Sequence, residues 1–274
     1  MNLYHYTSLE AVAKIVNVRG LTFLGTRYDS MNDPNDFTFS KEKVLPALMK
    51  SIENDDSLSE HAKDFTQHYP YIVSLSECGD NEMMLERYGK IAIILDQNCI
   101  RRHLLNEMYF EKCRYVSEDD DINDHFVEVF NGLHDAEDVI TSQAMAAFAI
   151  LKEKEWSYEN EWRLYAFDYD GFDAVYNPLV KEKCEVYDCE QPRNLILKCI
   201  RPVTRINEND NLNEPDLIIT KEFCLPKCAL AGFVIATPND EYFYRLKSHL
   251  LLWLHNIGYE TRRLQITQLK NKRQ

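Results

Sequence analysis

The chain has 274 residues, 45% of them hydrophobic and 28% charged, an ordinary soluble balance and enough length to bury a substantial core. Its 31 basic and 45 acidic residues leave a net charge of −14, which argues against a protein that coats nucleic acid non-specifically, while a local basic pocket for a phosphorylated small molecule stays open. The longest apolar runs, 91–95 and 250–254, fall far short of the roughly 20 residues of a membrane span. No basic-then-apolar leader opens the chain, and the eight cysteines lie scattered in apolar segments. Together these features predict reduced, mostly buried thiols in a cytoplasmic protein.

Leu3 to Tyr6 reads as a short strand, after which Thr7 or Ser8 caps a helix whose apolar positions 9, 12, 13 and 16 share one face. Gly20 reads as the helix stop, Leu21 to Leu24 as a strand, and Ser30 to Asp36 as a loop rich in side chains that bond their own backbone. Two surface helices are predicted over 41–54 and 57–68, and a strand from Tyr71 to Ser76. A helix opened by Asp80 or Asn81 then runs to Tyr88-Gly89, and Ile91 to Leu95 reads as a strand buried on both faces. Residues 107–116 alternate as a strand should, and the acidic run 118–121 lacks the ligand spacing and glycine of a calcium loop.

A long helix is predicted over 136–154 and a strand over 159–167. On that strand Glu159, Glu161 and Arg163 share one side, with Trp162 and Leu164 on the other. Residues 168–217 are irregular and proline-bearing. Beyond them come a strand at 232–236, a helix from Glu241 to His255, a turn at 256–258 and a last strand at 260–266. Strands and helices mix without strict alternation, which predicts an α+β fold. We read 1–274 as a single domain, with a C-terminal α/β extension over about 218–268 packed on the rest.

Several chemistries drop out. There is no Cys-x-x-Cys or His-Glu-x-x-His. Cys224-x-x-x-Cys228 and Cys184-x4-Cys189 have no matching second half, so no metal site is predicted and these cysteines read as structural. No phosphate-loop, dinucleotide or Gly-x-Ser-x-Gly motif occurs, and eight glycines leave little scope for a glycine cradle. Three polar segments remain: Tyr4-His5-Tyr6-Thr7-Ser8; Ser74-Leu75-Ser76-Glu77 with Asp80-Asn81 and Tyr88-Gly89; and Tyr158-Glu159-Asn160-Glu161-Trp162-Arg163. Each has a plain reading beside the functional one. His5 reads as a satisfied structural histidine or a ligand contact, the Glu-x-Glu-x-Arg face as an exposed salt-bridge ladder or the wall of a polar site. Met31-Asn32-Asp33-Pro34 reads as a capped turn or a loop over a cleft.

These boxes, with Met31-Asn32-Asp33-Pro34 between the first two and Trp156 opening the last, occur in one order. In that order they resemble a widespread bacterial family catalogued as domain of unknown function 2971, from residue 3 to about 165 and more weakly beyond. Members often carry Met-Trp where this chain has Met84-Leu85. More loosely, His5-Tyr6-Thr7 followed by a helix and Gly20-Leu21 resembles the opening of ADP-ribosyltransferase domains. That similarity implies a split, mainly antiparallel sheet with flanking helices, and NAD as substrate in its cleft.

By that resemblance His5, Tyr6 and Thr7 contact the cofactor, with Ser76, Arg163, Asn32 and Asp33 around it. Tyr88 stacks on the nicotinamide, and Glu161, or else Glu159, is the catalytic carboxylate. A fixed carboxylate beside the ribose stabilises the positive charge that develops as the glycosidic bond breaks. The implied protein is a bacterial transferase or NAD glycohydrolase, of the kind used as a toxin or phage-defence effector, with a protein or nucleic-acid acceptor. Two alternatives stay open: a catalytically silent nucleotide-binding or sensor domain, and a metal-dependent nuclease or nucleotide hydrolase using Glu159, Glu161 and Asp33.

Overall fold

Alternating and doubly apolar segments assemble into one branched, mostly antiparallel sheet. The computed structural model describes residues 1–28, 36, 38–43, 46, 70–104, 108–117, 148–167, 198–203 and 216–270. Its strands are β1 (Asn2–Thr7), β2 (Val16–Asn17), β3 (Gly20–Arg27), β4 (Pro70–Ser76), β5 (Ile91–Asp96), β6 (Tyr109–Lys112), β7 (Arg114–Val116), β8 (Leu151–Glu153), β9 (Glu161–Phe167), β10 (Lys198–Val203), β11 (Asp216–Leu225), β12 (Leu230–Ala236) and β13 (Gln265–Leu269). The helices are α1 (Leu9–Ile15), α2 (Glu82–Tyr88), α3 (Gln97–Arg102) and α4 (Asp240–Asn256). The main sheet runs β10-β11-β3-β4-β1-β5-β12-β13, with β9 branching from β4 and β6 pairing β9. The α+β class is observed. Among the described residues no helix is long and apolar enough to cross a membrane.

The branch is at β4. One edge of it pairs along its whole length with β9, from Pro70↔Phe167 to Ser76↔Glu161. The other edge is shared: Tyr71 and Ile72 pair with β3, and Ser76 pairs with Tyr4 of β1. Between those contacts the carbonyl of Ser74 faces the Nδ1 of His5 at 3.1 Å.

Residues paired across strands share a face, so the register sorts the sheet. Leu3, Val73, Leu75, Ile93, Trp162 and Leu164 point into the larger core, covered by Val12 and Ile15 of α1, Ile100 of α3, and Phe243, Leu250 and Leu254 of α4. On the opposite face Tyr6, Ala92 and Ile94 pack with Met84 and Leu85 of α2 and with Val234 and Ala236. Strand β5, the run read as buried on both faces, is buried from Ile91 to Leu95. Helix α4 crosses between the parallel strands β12 and β13. Gly232 permits that close approach, because its φ is +153° and a Cβ there would lie 1.8 Å from the Gln265 carbonyl oxygen.

Several predicted boundaries move. Helix α1 stops at Ile15 and turns directly into the β2–β3 hairpin, so Gly20 opens a strand rather than closing a helix. The predicted helix 136–154 cannot hold at its end. Residues 148–150 are helical, but 151–153 form β8 beside β7, and Lys154–Glu159 is a 3-10 helix. Asn160 then turns through the left-handed region at φ 43°, and β9 starts at Glu161, not at 159. The last strand lies at 265–269, after a 3-10 turn at Thr261–Arg263. Of Cys78, Cys99, Cys113, Cys224 and Cys228, only Cys113 is buried, while Cys224 and Cys228 are exposed, so the reading of mostly buried thiols is corrected for these five. The predicted helix 57–68 and the loop at 30–35 lie outside the described residues.

Candidate functional site: a buried charge cluster at the start of β9

Strand β9 carries Glu161 and Arg163 on the face away from the larger core, and two nearby segments deliver their partners. β8 brings Lys152, and the 3-10 helix with its left-handed exit at Asn160 brings Glu159 back over the start of the strand. Lys152 Nζ donates to Glu159 Oε2 at 2.5 Å and to Glu161 Oε2 at 2.8 Å. Arg163 donates through Nε to Glu161 Oε1 at 3.0 Å and through Nη2 to Glu161 Oε2 at 3.3 Å and Asp36 Oδ2 at 2.5 Å. Its Nη1 donates to the Ala149 carbonyl at 2.7 Å and to the Tyr28 hydroxyl at 3.2 Å. All five guanidinium N–H groups are therefore used. Tyr115 Oη accepts the Glu161 backbone N–H at 2.7 Å, and Ser76 Oγ donates to the Glu159 carbonyl at 2.6 Å, so both carboxylates hang on a fixed backbone.

The cluster is inside the protein: Arg163 is 0% exposed, Glu161 3%, Glu159 4% and Lys152 7%. Among the described residues it holds two cations, Lys152 and Arg163, against three carboxylates, Asp36, Glu159 and Glu161. Carboxylates outnumber cations by one within this set, and the two glutamates divide unequally. Burial acts to raise Glu161, but Arg163 and Lys152 outweigh it and hold this carboxyl well below the usual range. Burial also raises Glu159; its share of the Lys152 charge does not offset that, and the Glu161 charge pushes the same way, so Glu159 stays above its ordinary value. Burial opposes the charge on Lys152, yet Glu161, Asp36 and Glu159 keep it protonated well past its ordinary range. Two carboxylates two residues apart thus have opposed proton affinities, the pattern that separates an acid–base group from a permanently ionised one.

Outside Glu159 lies a rim of aromatic and cationic groups. The Arg87 guanidinium sits 5.4 Å from the Tyr88 ring centroid and 5.2 Å from that of Trp156, and Lys152 Nζ is 5.6 Å from the latter. Trp156 and Tyr158 are 5.9 Å apart, and both are half-buried. Burial and the Glu159 charge together raise the hydroxyls of Tyr88 and Tyr158.

No family model, curated protein or solved structure matches this chain.

Among the residues singled out from the sequence, Glu159, Glu161 and Arg163 come together in this cluster, with Ser76 beneath and Tyr88 at the rim. Tyr6 shares their face of the sheet but turns to the loop before α2, where its hydroxyl meets the Cys78 carbonyl and accepts the Asn81 N–H at 3.3 Å. His5 and Thr7 do not join them. Alternation along β1 puts both on the opposite face, where His5 makes an edge contact with Phe23 at 5.0 Å and burial lowers its proton affinity. The convergence of His5 with Glu161 on one cleft is therefore not found. Asn32 and Asp33 lie outside the described residues. The salt-bridge ladder is corrected too: Glu161 and Arg163 do pair with neighbours, but in the interior rather than on an open face.

Lys152, Asp36, Tyr28, Tyr115 and Arg87 were not singled out. Lys152 falls inside a stretch whose periodicity reads as helix, and its partners Glu159 and Glu161 stand on either side of the left-handed turn at Asn160. Asp36 had one local signal, its place three residues after Asp33 in the loop of that box.

Proposed function

We propose that this chain is an NAD-using enzyme of the ADP-ribosyltransferase-like class, a member of the bacterial family its boxes resemble, in which Glu159 rather than Glu161 is the working carboxylate. The observation that carries the reading is the split between the two glutamates. Glu161 is locked as an anion by two cations. Glu159 keeps a raised proton affinity and its charge acts on Tyr88 and Tyr158, whose rings neighbour Arg87 and Trp156. In such a reaction the bond from the ribose carbon to nicotinamide breaks, and a bond from that carbon to the oxygen of water or an acceptor forms. The acceptor's proton goes to a base, a task that suits the carboxylate of higher proton affinity. A fixed carboxylate beside the ribose favours the oxocarbenium-like transition state. The aromatic rings with Arg87 offer a stacking and phosphate-binding rim.

The test is release of nicotinamide from NAD by the full chain, beside Glu159→Gln and Trp156→Ala variants. Glu159→Gln is expected to lower kcat by roughly 10²–10⁴-fold with its melting temperature retained, and Trp156→Ala to raise KM. Turnover unchanged in Glu159→Gln removes that residue from the role. The second reading, a silent binding or sensor domain, is favoured by one observation: every Arg163 donor is spent on the protein itself. Thermal stabilisation by NAD without any nicotinamide release would support it, and absence of both effects would defeat both readings.

A further inference from the structure

Away from the charge cluster, on the other side of the sheet, the fold gathers three metal-binding side chains from two distant stretches of the chain. Cys99 and His103 stand four residues apart on α3 and its C-cap, so they share one helix face. Cys228 sits in the 3-10 turn Lys227–Ala229 between β11 and β12. One ligand atom from each of the three lies within 4.8 Å of the others. Cys99 Sγ is 3.7 Å from His103 Nδ1, against about 3.5 Å for two ligands of a tetrahedral zinc with bonds of roughly 2.3 Å to sulfur and 2.0 Å to nitrogen.

The supports on each side are fixed. Asp96 Oδ1 accepts the backbone N–H groups of Asn98 and Cys99 at 2.8 and 3.2 Å, holding the first turn of α3. Ile100 and Ala229, the neighbours of Cys99 and Cys228, are both 0% exposed in the larger core. Lys227 Nζ donates to the Ile257 carbonyl at 2.7 Å, pinning the 3-10 turn to the end of α4. The His103 ring lies 2.8 Å through Nδ1 from the Cys99 carbonyl. The same nitrogen faces Cys99 Sγ, so a metal bound there would take the place of this carbonyl contact.

We propose that Cys99, His103 and Cys228 bind one zinc ion, with the fourth position open to water or an exogenous ligand because His103 and Cys228 face solvent. Two thiolates and an imidazole select a thiophilic divalent ion over magnesium or calcium, which take oxygen ligands. Binding displaces the two thiol protons and ties α3 to the β11–β12 connection, next to the pairing of Leu95 with Leu230.

Cobalt(II) titrated into the reduced full-length protein tests this. One equivalent is expected to give a thiolate-to-cobalt charge-transfer band and tetrahedral d–d absorption, both bleached by zinc. Cys99→Ser, His103→Ala and Cys228→Ser should each weaken metal affinity by at least about 10-fold, whereas Cys224→Ser, on strand β11, should not. Cys228 is exposed, so Cys228→Ser is expected to keep the wild-type circular dichroism spectrum, which separates loss of metal from loss of fold. Reduced protein that gives no band overturns the proposal, as does a band that survives all three substitutions. A Cys99–Cys228 disulfide that takes up no cobalt after reduction overturns it too.

Discussion

Arg163 is the side chain on which the interior charges balance. Its guanidinium reaches two carboxylates, a phenol and a backbone carbonyl with no exposure to water. Replacing it with methionine would fill much of the same space but strand Asp36 and Glu161, a loss of about 3–5 kcal/mol measurable by urea unfolding. Acid should act through the same contacts. The folded-state value of Glu161 lies below its ordinary 4.5, so its contribution to stability is present above about pH 4.5 and is lost as pH falls further. Glu159 runs the other way: its raised folded value means that ionising it costs stability, which returns as pH falls towards 4.5. The melting-temperature gap between wild type and Glu161→Gln should therefore be widest near neutral pH and shrink below about pH 4.5. A gap that stays constant across that range would show that the cluster does not hold Glu161 ionised.

Elements were legible where one local rule decided them. Strand β4, the α2 opened by Asn81, the apolar run of β5 and the helix α4 follow from period, cap and turn residues alone. The start of β9 was not legible, because a 3-10 turn and a left-handed asparagine break the alternation that Glu-x-Glu-x-Arg suggests. Glu159 reaches Lys152 by tertiary folding, and strand alternation found it for the wrong reason. His5 shows the converse limit: its box suggested shared chemistry with Glu161, but the face of a strand residue depends on the register β1 takes against β4. Tyr88 owes its place to the element that carries it. Gly89 ends α2 at φ +134°, and a Cβ there would lie 2.3 Å from the Thr7 carbonyl oxygen on β1. Gly89→Ala should push the end of α2 off the sheet, costing more than about 1 kcal/mol and moving Tyr88 from Glu159. The check is a lower urea midpoint together with a changed Tyr88 environment in tyrosine-resolved NMR. An unchanged midpoint would mean that the helix end yields without strain.

On the scale of the whole molecule, the chain closes its sheet with its last residues rather than appending them. β11 pairs β3, β12 pairs β5, and α4 contributes Phe243, Leu250 and Leu254 to the core that Leu3, Phe23 and Trp162 also share. The Tyr259 hydroxyl then donates to the Gly20 carbonyl at 2.7 Å, joining the turn after α4 to the first hairpin. Such pairings are separated by most of the chain, so the loop-closure entropy of bringing its ends together opposes their formation. A chain ended after Ala236 would leave β12 as an uncovered edge and strip the α4 layer from the core. It is expected to lose cooperative thermal unfolding and to bind a hydrophobic dye, as an apolar surface opened to water does. Tyr259→Phe is the graded form of the same experiment. It removes one buried donor from the Gly20 carbonyl and should cost about 1–3 kcal/mol without abolishing the transition. Cooperative unfolding that survives the truncation would show that residues 1–236 hold their core without α4 and β13, and that the shared core seen here is not needed for folding.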